Sequence, residues 1–366
     1  MKSKTIALII AGLLIAGAIL YLEGLKAAPG KSQESDAVKP TQQLSAANIS
    51  PEDAARIIQK EGRYKKSIEL VGIDGYLNVD NITINGLIGK KVILIDFWTY
   101  SCINCQRTLP YITAWYDKYK DTGLEIIGIH APEFEFEKKR ENVQAAIDKW
   151  GIGYPVVQDN DHETWRAYQN RYWPRKYLID IDGFIVYDHI GEGAYAETEK
   201  IIQELLNERN EVLGMKEDVA SDVVDIESSR AGFFNTPELY LGYAFSRGQL
   251  GNTEGWNPEQ VGSYVLPSTM VKDLFYLEGD WYNHEDSMES VSDGKIVLDY
   301  IAKDVYIVAG AENTVTITIK IDGIETQKIN ISAETLYTLA SLPEAKQHNL
   351  EIAAPPGFRI YTFTFG

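Results

Sequence analysis

A buried-strand sequence runs directly into a pair of cysteines, and this junction constrains the fold more than any other feature of the chain. Residues 90–98, KKVILIDFW, form an apolar, β-branched run that is typical of a strand buried on both faces. Cys102 and Cys105 follow this run, and a helical pattern of apolar residues follows the cysteines. The segment therefore predicts a strand, a turn that carries the two thiols, and a helix.

The two cysteines are the only ones in the chain of 366 residues, and three interpretations of them are open: a stabilising disulfide, half of a metal site, or a redox pair. A bridge across two residues closes a very short loop, so it adds little stability. A structural zinc site takes four protein ligands, and the five histidines show no spacing that completes one, so we expect no metal. A C-x-x-C close to a βαβ pattern favours the redox pair.

That pattern is present from about residue 66 to about residue 210. Buried strands are predicted at 90–98 and 124–130, each followed by a helix, and 176–190 predicts two strands joined at Asp182-Gly183. An amphipathic helix is predicted at 194–209. This order predicts an α/β domain with a βαβ unit and an antiparallel hairpin.

The position of Cys102 at the start of a helix gives the thiols different roles. Thiolates at helix N-termini are stabilised by unpaired backbone N–H groups and by the helix dipole. We therefore expect Cys102 to attack and Cys105, one turn further along, to resolve the mixed disulfide.

The ends of the chain differ from this domain in composition. Residues 1–26 contain Lys2, Lys4 and an uncharged run long enough to cross a membrane as a helix. We expect an uncleaved single-pass anchor in the cytoplasmic membrane, with its N-terminus inside and the body of the chain outside. A cleaved signal peptide is the alternative.

The remaining boundaries follow from composition and periodicity. Residues 27–49 predict a flexible tether, 50–212 the α/β domain, and 213–234 an acidic linker. Residues 235–366 predict an antiparallel β-sandwich of jelly-roll type, with a hairpin at Asp322-Gly323 and a strand pair within 295–310. Four aromatic residues of this part could stack on sugars or simply fill its core: Tyr243, Trp256, Trp281 and Tyr282.

Several segments together resemble a known family. The pattern I-D-F-W-x-x-x-C-x-x-C at 95–105 resembles the active-site stretch of thioredoxins, and W-P-R-K-Y-L-I-D at 173–180 resembles their cis-proline segment. With H-A-P-E-F at 130–134, the chain is most similar to the extracytoplasmic TlpA/DipZ branch. This resemblance implies a thioredoxin-like α/β domain followed by a carbohydrate-binding-module-like domain.

The resemblance also implies roles for four residues. Cys102 and Cys105 match the redox pair, and Asp96 matches a buried acid that accepts the proton of Cys105. Pro174 matches the cis-proline opposite the cysteines. The alternatives are a paired strand residue for Asp96 and a trans turn proline for Pro174.

Three further residues are substrate-binding candidates. The backbone of Trp173 would pair with a bound peptide, and Trp98 is either a platform beside the sulfurs or a core residue. Glu133 follows the second buried strand, where sites form in such sheets, and could relay protons, although a solvated loop acid is the simpler expectation.

The implied activity is thiol–disulfide exchange with extracytoplasmic protein thiols and disulfides, with no cofactor beyond the cysteine pair. Because the chain has a single hydrophobic span, its electrons would come from a separate membrane protein. A glycan is a candidate ligand of the C-terminal part. A net charge of −18 excludes nucleic acid as an expected partner.

Two other functions stay open at this point. Thr99 and Cys102 have the T-x-x-C spacing of peroxiredoxins, although Ile95 stands where those enzymes have a proline. The chain could also be a binding or scaffold protein without catalysis. For the exchange activity, we expect the C-terminal part to bind and not to catalyse, so that a chain ending near residue 212 keeps its activity on a small disulfide.

Overall fold

The computed structural model describes residues 50–226 and 236–366. The predicted anchor and tether lie outside these residues, and so does part of the predicted linker. Within the two described ranges, no helix is both long and apolar enough to cross a membrane. Residues from Glu52 to Gly366 form one compact unit, so the contacts between its parts can be described.

The N-terminal half is built on a seven-stranded sheet. Its strands are β1 (Lys65–Lys66), β2 (Gly75–Leu77), β3 (Val92–Trp98), β4 (Leu124–His130), β5 (Val156–Gln158), β6 (Arg175–Ile179) and β7 (Phe184–Ile190). They lie in the order β1-β7-β6-β3-β4-β5-β2. Central β3 pairs in parallel with β4 and antiparallel with β6. The βαβ unit and the β6–β7 hairpin confirm the predicted thioredoxin-like α/β class.

In the described ranges, six α-helices and one 3₁₀ helix accompany this sheet. They are α1 (Pro51–Glu61), α2 (Ile84–Leu87), α3 (Ile103–Tyr119), the 3₁₀ helix Glu135–Lys138, α4 (Arg140–Trp150), α5 (Glu163–Ala167) and α6 (Tyr195–Leu213). Helix α3 continues through Pro110, where the sequence predicts a kink. Helix α4 ends at Gly151, whose φ of 62° is a left-handed conformation that glycine adopts without strain.

Strand β3 separates two apolar layers, because successive side chains point to opposite faces of a sheet. Val92, Leu94 and Trp98 face a core shared with α3 and α6. Ile93, Ile95 and Phe97 face a second core, which includes Trp165 of α5. All seven residues of β3 are buried, as its sequence, apolar apart from Asp96, predicts.

The C-terminal half is an antiparallel β structure with its own core. Its strands are β8 (Leu239–Tyr240), β9 (Val261–Tyr264), β10 (Phe275–Asn283), β11 (Met288–Ser290), β12 (Gly294–Gly310), β13 (Val315–Ile321), β14 (Ile324–Ile331), β15 (Thr335–Ala354) and β16 (Arg359–Phe365). The predicted hairpin at Asp322-Gly323 is present between β13 and β14. The jelly-roll form of this part stays a prediction.

The predicted strand pair within residues 295–310 is wrong, because these residues lie in the single strand β12. No glycine, proline or asparagine interrupts the segment, so nothing in it builds a reversing turn. The register with β15 shifts between Ala302, which pairs with Lys346, and Asp304, which pairs with Ser341, so the extra residues lie on β15 and β12 continues. The first residues of β12 pair with β10, and its last residues pair with β16. Strand β15 pairs with β12 along the other edge.

The two halves share apolar contacts. Tyr361 of β16 lies against the loop after β4, with ring centroids 5.2 Å from Phe134 and 4.8 Å from Phe136. Tyr240 and Val308 belong to the same buried cluster as Cys105. The predicted domain boundaries stay predictions, since this cluster draws residues from both halves.

Candidate functional site

Three chain segments meet at one edge of the first sheet. Strands β3 and β4 are parallel and both end there, at Trp98 and His130. Strand β6 runs antiparallel to β3, so it begins at the same edge, directly after the Trp173–Pro174 peptide bond. That bond is cis, as the resemblance implies. The edge therefore gathers the cysteine turn, the loop after β4 and the cis-proline.

The two cysteines differ in exposure and in bonding. Cys102 is the half-buried N-cap residue of α3, and its Sγ accepts a hydrogen bond from the backbone N–H of Cys105 at 3.3 Å. Cys105 is buried, and burial raises the pKa of its thiol well above the usual value. Its proton is therefore hard to remove without a nearby base, whereas the sulfur of Cys102 lies closer to solvent.

A buried acid lies beneath the cysteines, at Asp96 of β3. Burial raises the pKa of Asp96 to about 7, and the positive charge of Lys176 acts in the opposite direction. The charge of Asp96 in turn contributes to the raised pKa of Cys105. A carboxyl group that titrates near neutrality can accept and release a proton at working pH.

Trp98 is fully buried, which corrects its assignment as a substrate-binding residue. Its ring lies edge-on to His130, with centroids 5.2 Å apart, in the core between β3 and β4. A side chain without exposed surface cannot serve as a platform for a bound peptide. Of the two interpretations of Trp98, the core residue is the one that the structure supports.

Trp173 remains available to a substrate. It is half-buried, its indole N–H donates to the carbonyl of Ala131 at 3.0 Å, and its ring lies 4.3 Å from that of Trp165. Trp173 and Cys102 pack against the same buried cluster. Because the cis bond after Trp173 leads into β6, whose first residue Arg175 pairs with Phe97, Trp173 lies at the sheet edge where the cysteine turn begins.

Glu133 is not the solvated loop acid that the sequence favours. Its carboxylate accepts a hydrogen bond from the hydroxyl of Tyr240, 2.7 Å away in the C-terminal half. The same hydroxyl lies 2.9 Å from a carboxylate oxygen of Glu238. Burial, together with the charges of Glu238 and Glu137, raises the pKa of Glu133 well above the usual value.

Glu137 is a buried acid that the sequence analysis missed. One of its oxygens accepts from the hydroxyl of Ser101 at 2.5 Å, and the other accepts from the backbone N–H groups of Glu133 and Phe134 at 2.5 and 3.0 Å. Glu137 therefore ties the residue before Cys102 to the loop after β4. The alternating E-F-E-F-E sequence of residues 133–137 carries two buried phenylalanines, but it does not show which glutamate turns inward.

His130 lies at the centre of the same edge as a neutral group. Burial lowers the pKa of His130 to about 3. Its Nε2 is 3.4 Å from the hydroxyl oxygen of Thr99, and its ring stacks on Tyr100 at 5.7 Å. His130 thus supports the turn that leads into Cys102 and carries no charge there.

Arg107, which the sequence analysis also missed, connects the cysteine helix to the C-terminal half. Its guanidinium lies 3.5 Å from Glu192 and donates to the hydroxyl of Tyr306, in β12, at 3.2 Å. It also donates to the side chain of Asn104, between the cysteines, at 3.5 Å. No residue pattern distinguishes this arginine from a surface charge, because its partners are 85 and 199 positions away.

Four aromatic residues considered for glycan binding fall into two groups. Trp281 is fully buried, so it is not a sugar platform. Trp256, Tyr243 and Tyr282 are half-buried, and Trp256 also packs against the core of the C-terminal half. These three keep surface that a ligand could reach.

One group of acidic side chains in the described ranges has a spacing suited to a cation: Asp180, Asp182 and Glu208. The ammonium group of Lys60 lies within 2.8 Å of all three carboxylates. Arg56 adds a second positive charge at Asp182. These acids therefore already hold protein cations.

The two halves match two known family descriptions. Residues 69–188 match the AhpC/TSA family, and residues 236–366 match the thioredoxin like C-terminal domain. The carbohydrate-binding-module-like character of the second half stays a prediction.

Several curated proteins are similar to this chain. Protein DipZ of Mycobacterium bovis is 37% identical over 304 residues, which are 81% of this chain and 42% of that protein. The chain thus spans less than half the length of this relative. Thiol-disulfide oxidoreductase ResA of Halalkalibacterium halodurans is 31% identical over 42% of this chain and 79% of that protein.

A third relative is covered almost completely. Thiol-disulfide oxidoreductase YkuV of Bacillus subtilis is 31% identical over 140 residues, which are 38% of this chain and 93% of that protein. Together with the strand order and the cysteine turn, these matches assign the N-terminal half to the thioredoxin-like fold. The chain therefore belongs to the thioredoxin-like thiol–disulfide oxidoreductases.

Proposed function

We propose that the chain exchanges disulfides with extracytoplasmic protein thiols through Cys102 and Cys105. The observation that carries this proposal is the contrast between the two sulfurs at the start of α3. Cys102 is half-buried at the N-cap, while Cys105 is buried and its thiol interacts electrostatically with the carboxylate of Asp96. A nucleophile that is accessible and a second thiol that is kept protonated next to a base are the parts that a two-step exchange needs.

The two steps conserve atoms and electrons. The thiolate of Cys102 attacks a substrate disulfide, forms a mixed disulfide and releases one substrate sulfur as a thiolate. Cys105 then gives its proton to Asp96 and attacks the Cys102 sulfur. The second substrate thiolate leaves with the electron pair of the broken bond, so the substrate is reduced by two electrons and the cysteine pair is oxidised. In the reverse direction the same steps oxidise a dithiol.

The substrate would lie along the exposed side of Trp173 and the cis-proline Pro174. The half-buried Trp173 ring packs against the same cluster as Cys102, which supports this placement. An extended peptide there could pair with the backbone of Trp173. Residues 1–26 would hold the chain at the cytoplasmic membrane, and a separate membrane protein would exchange electrons with it. Glycan binding would fall to the surface around Tyr243, Trp256 and Tyr282.

A second candidate is a thiol peroxidase, because residues 69–188 match the AhpC/TSA family and Thr99 has the right spacing to Cys102. The surroundings of Thr99 favour a thiol peroxidase less than they favour thiol–disulfide exchange. Thr99 is buried, and its hydroxyl oxygen is 3.4 Å from Nε2 of His130 instead of reaching toward an open thiol. Ile95 also occupies the place of the proline that peroxiredoxins use.

The exchange proposal is tested by trapping. With Cys105→Ser in the full chain, expressed in its natural host, the mixed disulfide on Cys102 cannot resolve, so partners accumulate there. We expect a few extracytoplasmic thiol proteins and one membrane donor, identified by mass spectrometry after non-reducing electrophoresis. Cys102→Ser is the matched control and should trap none. Equal trapping by both variants would show that the nucleophile is assigned to the wrong sulfur.

A further inference from the structure

A buried arginine joins the C-terminal half to the turn between the cysteines. Arg107 lies two positions after Cys105 on α3, and its side chain is buried. Buried arginines are rare unless they are paired, because the guanidinium group gives up water and must find acceptors for five N–H donors. The partners of Arg107 therefore show what this side chain holds together.

The contacts of the guanidinium are divided between the two halves. In the N-terminal half, Nη1 donates to Oδ1 of Asn104 at 3.5 Å and lies 3.5 Å from the carboxylate of Glu192, in the loop after β7. In the C-terminal half, Nη2 donates to the hydroxyl of Tyr306 at 3.2 Å, and the ring of Tyr306 lies 5.5 Å from the guanidinium carbon. The bond to Tyr306 is the shortest of these contacts, so it contributes most to the position of the guanidinium.

The residue after β16 approaches the same group. Gly366 lies so close to Arg107 that a Cβ atom at this position would collide with Nη2 and would lie 3.3 Å from the guanidinium carbon. A glycine at position 366 thus leaves the guanidinium the space in which it reaches both Tyr306 and Asn104. The C-terminal half therefore contacts Arg107 from β12 and from the end of β16.

The turn that contains Asn104 is already arranged for bond formation. Sγ of Cys102 accepts a hydrogen bond from the backbone N–H of Cys105 at 3.3 Å while both cysteines are free. Asn104 is one of the two residues between them, and it is half-buried. A contact that holds this dipeptide limits the conformations of the dithiol form, so less entropy is lost when the S–S bond closes.

We infer that Arg107 is a positioning residue through which the C-terminal half preorganises the cysteine turn for disulfide closure. The inference rests on the proposed thiol–disulfide exchange, and it gives the C-terminal half a part in the redox equilibrium. Arg107 acts on the sulfurs only by holding Asn104. Tyr306 and Gly366 act on them only by holding Arg107.

The step concerned is closure of the bond between Cys102 and Cys105. Against glutathione disulfide, the thiolate of Cys102 displaces one glutathione, and the thiolate of Cys105 then displaces the other from the mixed disulfide. The cysteine pair loses two electrons and two protons, and two molecules of reduced glutathione carry them away. A turn held close to the closed geometry raises the equilibrium constant of this reaction toward the protein disulfide and speeds its second step.

A merely structural role for these contacts leads to a different expectation. If they only join the two halves, weakening them would lower the stability of the fold and leave the equilibrium constant of closure unchanged. Tyr306→Phe removes one hydroxyl and keeps the ring, whereas Gly366→Ala displaces the guanidinium and keeps its partners. Tyr337→Phe is the matched control, because the hydroxyl of Tyr337 bonds the carbonyl of Ala333 within the C-terminal half.

The equilibrium is measured on the full chain in mixtures of reduced and oxidised glutathione at pH 7, with the disulfide fraction determined by alkylation and mass spectrometry. We expect Tyr306→Phe and Gly366→Ala each to lower the equilibrium constant of closure at least threefold, which corresponds to a reduction potential higher by about 14 mV. Tyr337→Phe should leave it unchanged. Release of 5-thio-2-nitrobenzoate from Cys102 by Cys105 should also be slower in the first two variants.

An unchanged equilibrium constant in both folded variants would overturn the inference, even if their unfolding midpoints fall. If one of the two fails to fold, the other decides, because they disturb the guanidinium from different strands. A chain without substitutions that forms no disulfide with glutathione would instead overturn the proposed function.

A double variant tests the path through Asn104. Asn104→Ala removes the acceptor between the cysteines, so the contact from Tyr306 no longer reaches the turn. Asn104→Ala/Tyr306→Phe should therefore have the same equilibrium constant as Asn104→Ala alone. A further threefold fall in the double variant would mean that Tyr306 acts by another route, and the inference would be wrong.

Discussion

Asp96 sits where the needs of catalysis and of stability oppose each other. Its carboxyl lies at 1% exposure in the centre of β3, and one of its oxygens has no hydrogen-bond partner in the described ranges. An ionised carboxylate at such a place costs free energy. The same cost raises its pKa to about 7, which makes it a suitable base at neutral pH.

For Asp96→Asn we expect slower exchange and a more stable fold. Loss of general base help is typically worth about 10²–10⁴ in rate, so the exchange rate at pH 7 should fall by at least tenfold. The rate is measured with a small disulfide substrate, and the fold is checked by circular dichroism. A rate within threefold of the unchanged chain would remove Asp96 from the mechanism.

The gain in stability should depend on pH. The pKa of Asp96 is about 7 in the folded chain and about 3.9 in an unfolded one, so between these values only the folded state keeps the proton. This stabilisation is complete below pH 4 and is lost as pH rises through 7. Asparagine does not titrate, so the advantage of the variant should grow from pH 4 to pH 7, reaching on the order of a few kcal/mol. In the Asp96→Asn variant, Lys176 loses its counter-charge, and this loss offsets part of the gain in stability.

The residues whose roles come from local sequence were predictable. Cys102, Cys105 and Asp96 lie within ten positions of each other on one strand and one helix start. Glu137, Arg107 and Lys176 were not predictable as site residues, because their importance depends on partners across the sheet or in the other half. Isolated charged residues have no periodicity that distinguishes a buried position from an exposed one.

At the level of elements, strand β3, helix α3 and the two Asp-Gly hairpin turns followed the sequence, while strand β12 and the loop after β4 did not. Strand β3 is apolar apart from Asp96, and α3 repeats apolar residues at helical spacing, so their existence was clear. Strand β12 was divided in the prediction, because Lys303 and Asp304 interrupt its apolar pattern, whereas its continuity depends on pairing with β15 on both sides of these residues. The loop after β4 takes its form from Glu137, whose three acceptor contacts no sequence pattern announces.

Glu137→Gln should loosen this loop and change the reactivity of Cys102. Glutamine has one oxygen in place of two, so either Ser101 or the backbone N–H groups of Glu133 and Phe134 lose their acceptor. An unsatisfied buried donor costs about 1–3 kcal/mol, which denaturant unfolding would show as a lower midpoint. The rate at which Cys102 is alkylated should also change in the Glu137→Gln variant.

The matched control is Glu135→Gln, two positions earlier in the same 3₁₀ helix. Glu135 is exposed and bonds only Lys138 in the described part of the chain. Removing an exposed charge of this kind changes stability by less than about 0.5 kcal/mol. If both variants behave alike, the contacts of Glu137 do not hold the cysteine turn.

At the scale of the whole molecule, the two halves are less independent than the sequence suggests. Tyr361 covers Phe134 and Phe136, and Tyr306 bonds Arg107 five positions after Cys102. A chain ending near residue 212 would expose these side chains. The expectation that such a chain works at the full rate on a small disulfide therefore conflicts with the contacts.

Tyr361→Ala in the full chain measures this dependence. Burying a large apolar side chain is worth about 1.5–3 kcal/mol, and the aromatic contacts add to it. We expect the unfolding midpoint to fall by on the order of 10 °C, together with a change in the alkylation rate of Cys102. Tyr282→Ala is the control, because Tyr282 bonds Glu259 within its own half.

A chain ending at residue 226 should show at least the loss of stability seen in Tyr361→Ala. Full stability and full rate in that chain would mean that the interface is irrelevant to the site.

The hydroxyl of Tyr240 makes the union of the two halves a proton-binding reaction. It lies 2.7 Å from Glu133 and 2.9 Å from Glu238, yet a hydroxyl has one hydrogen to donate. Burial and the charges of Glu238 and Glu137 raise the pKa of Glu133 well above its usual value in the joined molecule. Glu133 therefore holds a proton up to a higher pH there than the same side chain does in water. Docking of the C-terminal half onto the redox domain thus favours uptake of a proton from solution, and separation favours its return to the surrounding buffer.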